Sequence, residues 1–271
     1  MTDPSDACVA CSWTPDQQEQ CFYTSHVKLF HAASKRGVWC IGSDVIMKER
    51  PDQGPKTEVQ TLNYLANYPE IPAPIILRDW AWAELTEAQK IAIADQVVDV
   101  REKLRELAST AMQGVGGGPC YPGLLFSDRE PHGPFHSDLE LRGALNLNIQ
   151  ARGLPNHVLE NLGKLLPQCR PYVLTHCDLN LGNIMVKDGA LVGILDWEFA
   201  AYYPVWYECV SASWRWTEDD AAWKRMLQER FNAHGDGHED AKSFWMDLRR
   251  LRKFPDLDEK GQEVLERLSS A

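Results

Sequence analysis

Residues 176–198 read HCDLNLGNIMVKDGALVGILDWE, and this stretch decides the fold. It contains two short apolar runs, at Ile184–Val186 and Leu191–Leu195, with Lys187-Asp188-Gly189 lying between them. An Asp-Gly pair between apolar segments is a strong signal for a tight β-hairpin. The stretch therefore predicts a short antiparallel hairpin with a polar segment at each end.

The polar residues at the two ends of this hairpin carry oxygen atoms. Asp178 and Asn183 lie on the loop that enters it, and Asp196 lies just past the strand that leaves it. Carboxylate and amide oxygens are ligands that magnesium prefers, and phosphates usually complete its coordination. Phosphoryl transfer needs a metal beside the phosphates and a carboxylate to accept the proton of the attacking hydroxyl. The alternative is that Asp178 and Asn183 cap turns and that Asp196 starts a loop. Each role is plausible alone, but the coincidence of all three with this spacing is improbable.

The motif resembles the catalytic and metal-binding loops of the protein-kinase-like fold: His-x-Asp-x-x-x-x-Asn, a hairpin, then Asp after an apolar strand. In this form it looks like the aminoglycoside phosphotransferase and choline kinase family, and especially its fungal-type members. The resemblance implies that Asp178 is the catalytic base and that Asn183 and Asp196 bind Mg²⁺. It also implies that His176 braces the loop. Trp197-Glu198, where protein kinases carry Phe-Gly, favours a small-molecule acceptor.

The resemblance extends upstream. Lys48, at the end of the apolar run Val45–Met47, looks like the strand lysine that contacts the α- and β-phosphates of ATP. Glu58, near the start of the next helix, looks like its ion-pair partner. On their own, these residues read as a surface lysine at a strand end and an acid in the first turn of a helix.

The predicted fold is α+β and bilobal, of the protein-kinase-like type. A shortened, β-rich small lobe is expected over residues 1–83, and a mostly helical lobe with the catalytic and metal-binding loops over residues 84–271. In the small lobe, Val38–Ile41 and Val45–Met47 flank Gly42-Ser43-Asp44 and predict a hairpin.

Several helices are predicted from apolar periodicity and capping signals. A capping box at Thr57 and Gln60 predicts one helix. A second, at Thr86 and Gln89, predicts a long helix to about Ser109. Its apolar face is expected to hold Ile91, Ala94, Val98, Leu104 and Ala108. Further helices are predicted at 138–150 and 155–166, and from Val205 to the end.

One segment departs from the family pattern. Only eleven residues, 75–85, separate Pro74 from the helix that begins at Thr86. The family usually has two strands and an adenine-binding hinge there, and strands average about five residues each. A divergent enzyme, an inactive kinase-like binding module and a chain that lacks an internal segment all fit this observation.

The charge of the chain restricts the classes of partner that are expected to bind it. The formal net charge is −11 and the sequence pI is about 5.2, which disfavours nucleic acid and anionic membranes. A small-molecule acceptor is expected, with a cationic one as an option. The eight cysteines are scattered, and no apolar run is long enough to span a bilayer, so a reduced, cytoplasmic protein is expected.

Other patterns allow less specific readings. Cys8, Cys11 and Cys21 with nearby histidines offer zinc ligands, but a thiol-rich terminus without a metal fits their spacing better. The segment from Trp206 to Trp223 reads as core, with Trp214 or Trp216 as an alternative acceptor-pocket residue. Metal-dependent hydrolysis by the same carboxylates is a third functional reading, and it needs more ligands near Asp196 than the sequence offers.

Overall fold

A sheet of three strands forms the part of the N-terminal unit that the computed structural model describes. The structure describes residues 27–33, 36–41, 45–49, 57–71, 85–128, 130–187, 189–214 and 218–270. The chain divides into two compact units, residues 1–54 and 55–271. The lobe boundary expected near residue 83 stays a prediction.

The strands of the N-terminal unit are β1 (Val27–Ala33), β2 (Arg36–Ile41) and β3 (Val45–Glu49). They are antiparallel in the order β1-β2-β3. Ile41 pairs with Val45, so the hairpin predicted from the apolar runs is confirmed. Lys48 lies in β3 and pairs across the sheet with Val38.

The second unit is mostly helical. Its helices within the described residues are α1 (Thr57–Leu65), α2 (Glu87–Glu106), α3 (Asp138–Gln150), α4 (Asn156–Lys164), α5 (Tyr207–Ser211), α6 (Glu218–Ala233), α7 (Glu239–Leu251) and α8 (Glu259–Ser269). The helices predicted at 138–150, at 155–166 and after Val205 are confirmed. None of the described helices has the length and apolar character needed to cross a membrane.

Helix α2 begins as predicted and buries most of the predicted face. The Thr86 hydroxyl accepts from the Gln89 amide at 3.3 Å, and the Thr86 amide donates to Gln89 Oε1 at 2.9 Å, which confirms the capping box. The helix ends at Glu106 rather than near Ser109. Ile91 is 44% exposed, so its predicted core position is wrong. Ala94, Val98 and Leu104 are buried as predicted, and Ile93 and Val97 extend the buried face. Ala108 lies beyond the end of the helix and is exposed, so its predicted core position is also wrong.

Two small sheets also lie in the described part of this unit. β5 (Tyr172–Thr175) lies between β4 (Ala108–Ser109) and β8 (Ala201–Pro204), and β6 (Ile184–Lys187) pairs with β7 (Ala190–Ile194). The β6–β7 pair is the hairpin predicted from Asp-Gly, and Gly189 in its turn has φ +77°. β8 was not predicted, because its four residues are all buried and show no alternation.

The aromatic core is also largely as expected. Trp206 and Trp223 are completely or almost completely buried. Trp214 is half-buried, and its ring contacts Trp245 and lies 4.5 Å from the Arg249 guanidinium.

Some predictions fall outside the described residues: those on residues 75–84 of the adenine-hinge segment, on the thiol-rich N-terminal segment and on Trp216. The helix predicted from Thr57 is confirmed as α1, and its capping box stays a prediction.

Candidate active site

The β6–β7 hairpin brings the two polar segments of the motif together. Asn183 ends a 3₁₀ turn, Leu181–Asn183, directly before β6, and Asp196 follows β7. The Leu195 amide donates to the Asn183 carbonyl at 2.8 Å. A backbone hydrogen bond therefore joins the loop before the hairpin to the residue that directly follows it.

Asp178 and Asn183 are in direct contact. Asn183 Nδ2 donates to the backbone carbonyl of Asp178 at 2.8 Å and to its Oδ2 at 2.9 Å. Because both bonds use the nitrogen of the amide, the Asn183 oxygen is the atom left for a cation. Asn180 Nδ2 donates to the second oxygen, Asp178 Oδ1. The Asp178 carboxylate is thus held at each oxygen by a side-chain amide.

The His176 side chain connects the loop that contains Asp178 to the residue that precedes Asp196. Its ring is fully buried, and Nε2 lies 2.8 Å from the Leu195 carbonyl. Nδ1 accepts from the Asp178 amide at 3.2 Å. A carbonyl can only accept and an amide N–H can only donate, so the imidazole is neutral with its proton on Nε2. The ring also meets Trp197 edge-on at 4.5 Å.

Asp196 adopts a left-handed backbone conformation, with φ +64°. Aspartate and asparagine tolerate this region better than most residues do. The next residue anchors the turn, because Trp197 is fully buried and its Nε1 donates to the Ile194 carbonyl at 2.6 Å. Helix α1 packs against the 3₁₀ turn Trp197–Phe199. The turn after β7 is therefore fixed by core packing.

Glu208, on α5, supports the start of the loop formed by residues 176–183. It is 3% exposed, and its Oε2 accepts from the amides of His176 at 2.9 Å and Cys177 at 3.3 Å. Ser211 Oγ donates to Oε1 at 3.1 Å. Cys177 itself has φ +74°, so this carboxylate holds a backbone segment in a conformation that L-residues rarely adopt.

Replacing Glu208 with alanine should destabilise the protein by about 3 kcal/mol. The change leaves two buried amides without their acceptor, and each such group costs about 1–3 kcal/mol. Glu208→Gln keeps a carbonyl oxygen at the site and should cost less than half as much. Urea unfolding of both variants measures the difference, with the exposed Glu160→Ala as control. Equal stability of Glu208→Ala and the wild type would contradict the supporting role.

Burial raises the pKa of the Asp178 carboxyl. The Asn183 hydrogen bond lowers this pKa, Asp196 raises it, Lys224 lowers it and Asp220 raises it, and the net shift is upward. A raised pKa makes an ionised carboxylate a stronger proton acceptor. The environment of Asp178 therefore suits a general base.

The donor set of the site fits a magnesium ion that is shared with phosphates. Asn183 offers an amide oxygen, and Asp196 lies close enough to raise the pKa of Asp178. Within the described part of the chain, no cluster of three or more histidine, cysteine or acidic side chains is arranged to hold a metal. A cation here would take its remaining ligands from nucleotide and water, as magnesium commonly does.

Three contacts from α6 to residues 179–181 were not predicted from the sequence. The Leu181 amide donates to Asp220 Oδ1 at 3.2 Å, and Trp223 Nε1 donates to the Leu179 carbonyl at 2.9 Å. Lys224 Nζ donates to Asn180 Oδ1. The three α6 residues share one helix face, at spacings of three and four. The sequence offered one signal for these contacts: Lys224 directly follows Trp223, which belongs to the apolar stripe of this helix.

The two upstream candidates lie in different units. Lys48 is in β3 of the N-terminal unit, and Glu58 is in the first turn of α1 in the second unit. Their ion pair and their contact with nucleotide stay predictions.

Comparison with protein families gives one match. The model of a family described as "Phosphotransferase enzyme family" matches residues 48–244, which is more than half of the chain. The matched segment contains the whole motif as well as Lys48 and Glu58. The comparison with curated proteins gives no significant match.

Solved structures of aminoglycoside phosphotransferases share the fold. APH(2'')-Ib with bound ADP is 10% identical, with a TM-score of 0.54, and the alignment covers 93% of this chain and 94% of that chain. A thermostable mutant of APH(4)-Ia, in complex with AMP-PNP and hygromycin B, is 13% identical at a TM-score of 0.52, covering 92% and 93%. APH(2")-IIa with streptomycin and ATP is 12% identical at 0.52, covering 94% and 95%. The predicted α+β, protein-kinase-like fold is confirmed; the fungal-type subfamily stays a prediction.

Proposed function

The chain belongs to the phosphotransferase enzyme family, and from this premise we propose that it transfers the γ-phosphate of ATP to a hydroxyl group of a small molecule. One observation carries the proposal: Asp178 is held at both carboxylate oxygens by Asn180 and Asn183, with Asp196 close by. This is a fixed carboxylate beside oxygen ligands suited to magnesium.

In this proposal the residues divide into two tasks. Asn183 and Asp196 hold Mg²⁺, and Lys48, held by Glu58, positions the α- and β-phosphates of ATP. The metal neutralises charge on the phosphate oxygens. Asp178 orients the acceptor hydroxyl and accepts its proton. The acceptor oxygen forms a bond to the γ-phosphorus, the bond from that phosphorus to the β,γ-bridging oxygen breaks, and ADP leaves.

The acceptor is proposed to be a small molecule, with a cationic one favoured. Two of the structures that share the fold are complexes with hygromycin B or streptomycin. In this chain the carboxylates of Asp178, Asp196 and Asp220 lie near one another, and the net charge is −11. A cationic acceptor would be attracted by that field.

The proposal is tested by calorimetric titration of the full chain with ATP, with and without Mg²⁺, followed by a screen for ADP release with amino- and hydroxyl-bearing acceptors. We expect binding that requires Mg²⁺ and stimulation of ADP release by at least one acceptor. A folded protein that binds no nucleotide would overturn the enzyme proposal and favour the inactive kinase-like module.

A further inference from the structure

Lys224 is a buried cation next to the catalytic loop. The residue is 4% exposed. Its Nζ donates to Asn180 Oδ1 and to the Trp214 carbonyl, and it lies 3.3 Å from Asp220 Oδ2. Two hydrogen bonds and one ion pair act on this ammonium group. Lys224 is therefore held in place, in contrast to a lysine that reaches out for a solvent-borne phosphate.

The ammonium group determines which way the Asn180 amide faces. An asparagine amide has one accepting end and one donating end, and the two ends have almost the same shape. Lys224 can only donate, so the oxygen of Asn180 must face it. The nitrogen of Asn180 then faces Asp178 Oδ1, which can only accept. If the amide were reversed, oxygen would face carboxylate and nitrogen would face ammonium, and both contacts would be repulsive.

We propose that Lys224 is a positioning residue for the catalytic carboxylate, which acts by fixing the polarity of the Asn180 amide so that Asn180 holds Asp178. The relay runs from Lys224 Nζ through both ends of the Asn180 amide to Asp178 Oδ1. It complements Asn183, which holds the other carboxylate oxygen at 2.9 Å. The effect of this relay on catalysis rests on the proposed function. The orientation of the Asn180 amide is independent of that function, because it follows from the hydrogen bonds alone.

The first test reports on the orientation of the Asn180 side-chain amide and needs no enzyme assay. In protein labelled with ¹⁵N-asparagine, the side-chain amide signals of Asn180 are assigned by their loss in Asn180→Ala. Lys224→Met removes the ammonium and keeps the length of the side chain. We expect the bonded amide hydrogen to exchange with solvent about tenfold faster in this variant, which corresponds to the loss of one modest hydrogen bond. Exchange within twofold of the wild type would overturn the proposal.

The controls separate this relay from general loosening of the fold. Lys242→Met removes another lysine, one whose Nζ pairs with Glu239 at 2.8 Å on α7, and should leave the Asn180 signals unchanged. If Lys224→Met does not fold, Lys224→Arg and Lys224→Gln replace it. Arginine only donates, so it should preserve slow exchange, whereas glutamine can reverse its own amide and should not. Equal exchange in these two variants would contradict the argument from polarity.

The second test asks whether the relay matters for transfer. With an acceptor from the ADP-release screen, Lys224→Met should lower kcat about tenfold to a hundredfold and change KM for ATP less than twofold, because a misplaced base costs rate and not nucleotide affinity. Asn180→Ala should cause the same loss, and the double variant no further loss. Additive losses would show that Lys224 acts independently of Asn180. If the wild type transfers no phosphate, the proposed function fails, while the exchange experiment still decides the relay.

Discussion

Replacing Asp178 with asparagine should lower kcat by roughly 10²–10⁴-fold, the range that general-base catalysis contributes. The substitution keeps the shape of the side chain and removes both its charge and its ability to accept a proton. Nucleotide binding should persist, because the proposed metal ligands are Asn183 and Asp196. Steady-state ADP release with an identified acceptor measures the rate, and calorimetry measures ATP affinity.

Asp178→Asn should also lower the free energy of unfolding, and this effect must be separated from the loss of the proton acceptor. One carboxylate oxygen becomes an NH₂ group, and it then faces the donating nitrogen of Asn180 or Asn183. The unfolding free energy should therefore be measured beside the rate. Asp99→Asn, at an exposed site on α2, is the matched control. A kcat within threefold of the wild type in Asp178→Asn would remove Asp178 from the base role.

The same residue sets the expected pH dependence. Because burial and neighbouring charges raise the pKa of the Asp178 carboxyl, kcat should fall as pH decreases through a value above that of an ordinary aspartate, 3.8. The rate is lost on the acidic side, where the carboxyl is protonated and can no longer accept the hydroxyl proton.

Replacing Asp196 with asparagine should weaken Mg²⁺-dependent ATP binding by about a hundredfold, or about 2.7 kcal/mol. The change removes the negative charge that the proposal assigns to the metal. Asparagine is the informative choice because it also tolerates φ +64°, whereas alanine would add backbone strain. The loss should therefore report on the charge alone.

Calorimetry in the presence and in the absence of Mg²⁺ measures this loss. Without the metal, Asp196→Asn and the wild type should bind ATP equally weakly, since the carboxylate acts through the ion. A variant that keeps the full Mg²⁺ dependence of the wild type would show that Asp196 is not a ligand. A defect of equal size with and without Mg²⁺ would indicate a damaged fold instead.

The parts of the site that sequence predicts are those that lie close together along the chain. The motif from His176 to Asp196 surrounds one tight hairpin, so the spacing of its residues fixes their approach. The Asp-Gly turn, the capping box at Thr86 and the helical stripes are also local signals. Their structures follow from propensities and periodicities that act over a few residues.

The supporting contacts could not be predicted in the same way. Glu208 is 32 residues from His176, and Lys224 is 44 residues from Asn180. Such pairs depend on where whole helices pack, and the sequence gives no spacing rule for that. A buried lysine also looks like a surface lysine until its partners are known. Ile91 shows the same limit, because its exposure depends on which face of α2 meets the neighbouring elements.

The face of α6 that contacts residues 179–181 has a consequence for transplanting the motif. A fragment that stops before residue 218 retains every residue of the signature, yet it lacks Asp220, Trp223 and Lys224, which contact Leu181, Leu179 and Asn180. Residues 176–198 therefore depend on α6 for part of their structure. Grafting residues 176–198 into another scaffold would require grafting the matching face of a helix that comes later in the chain.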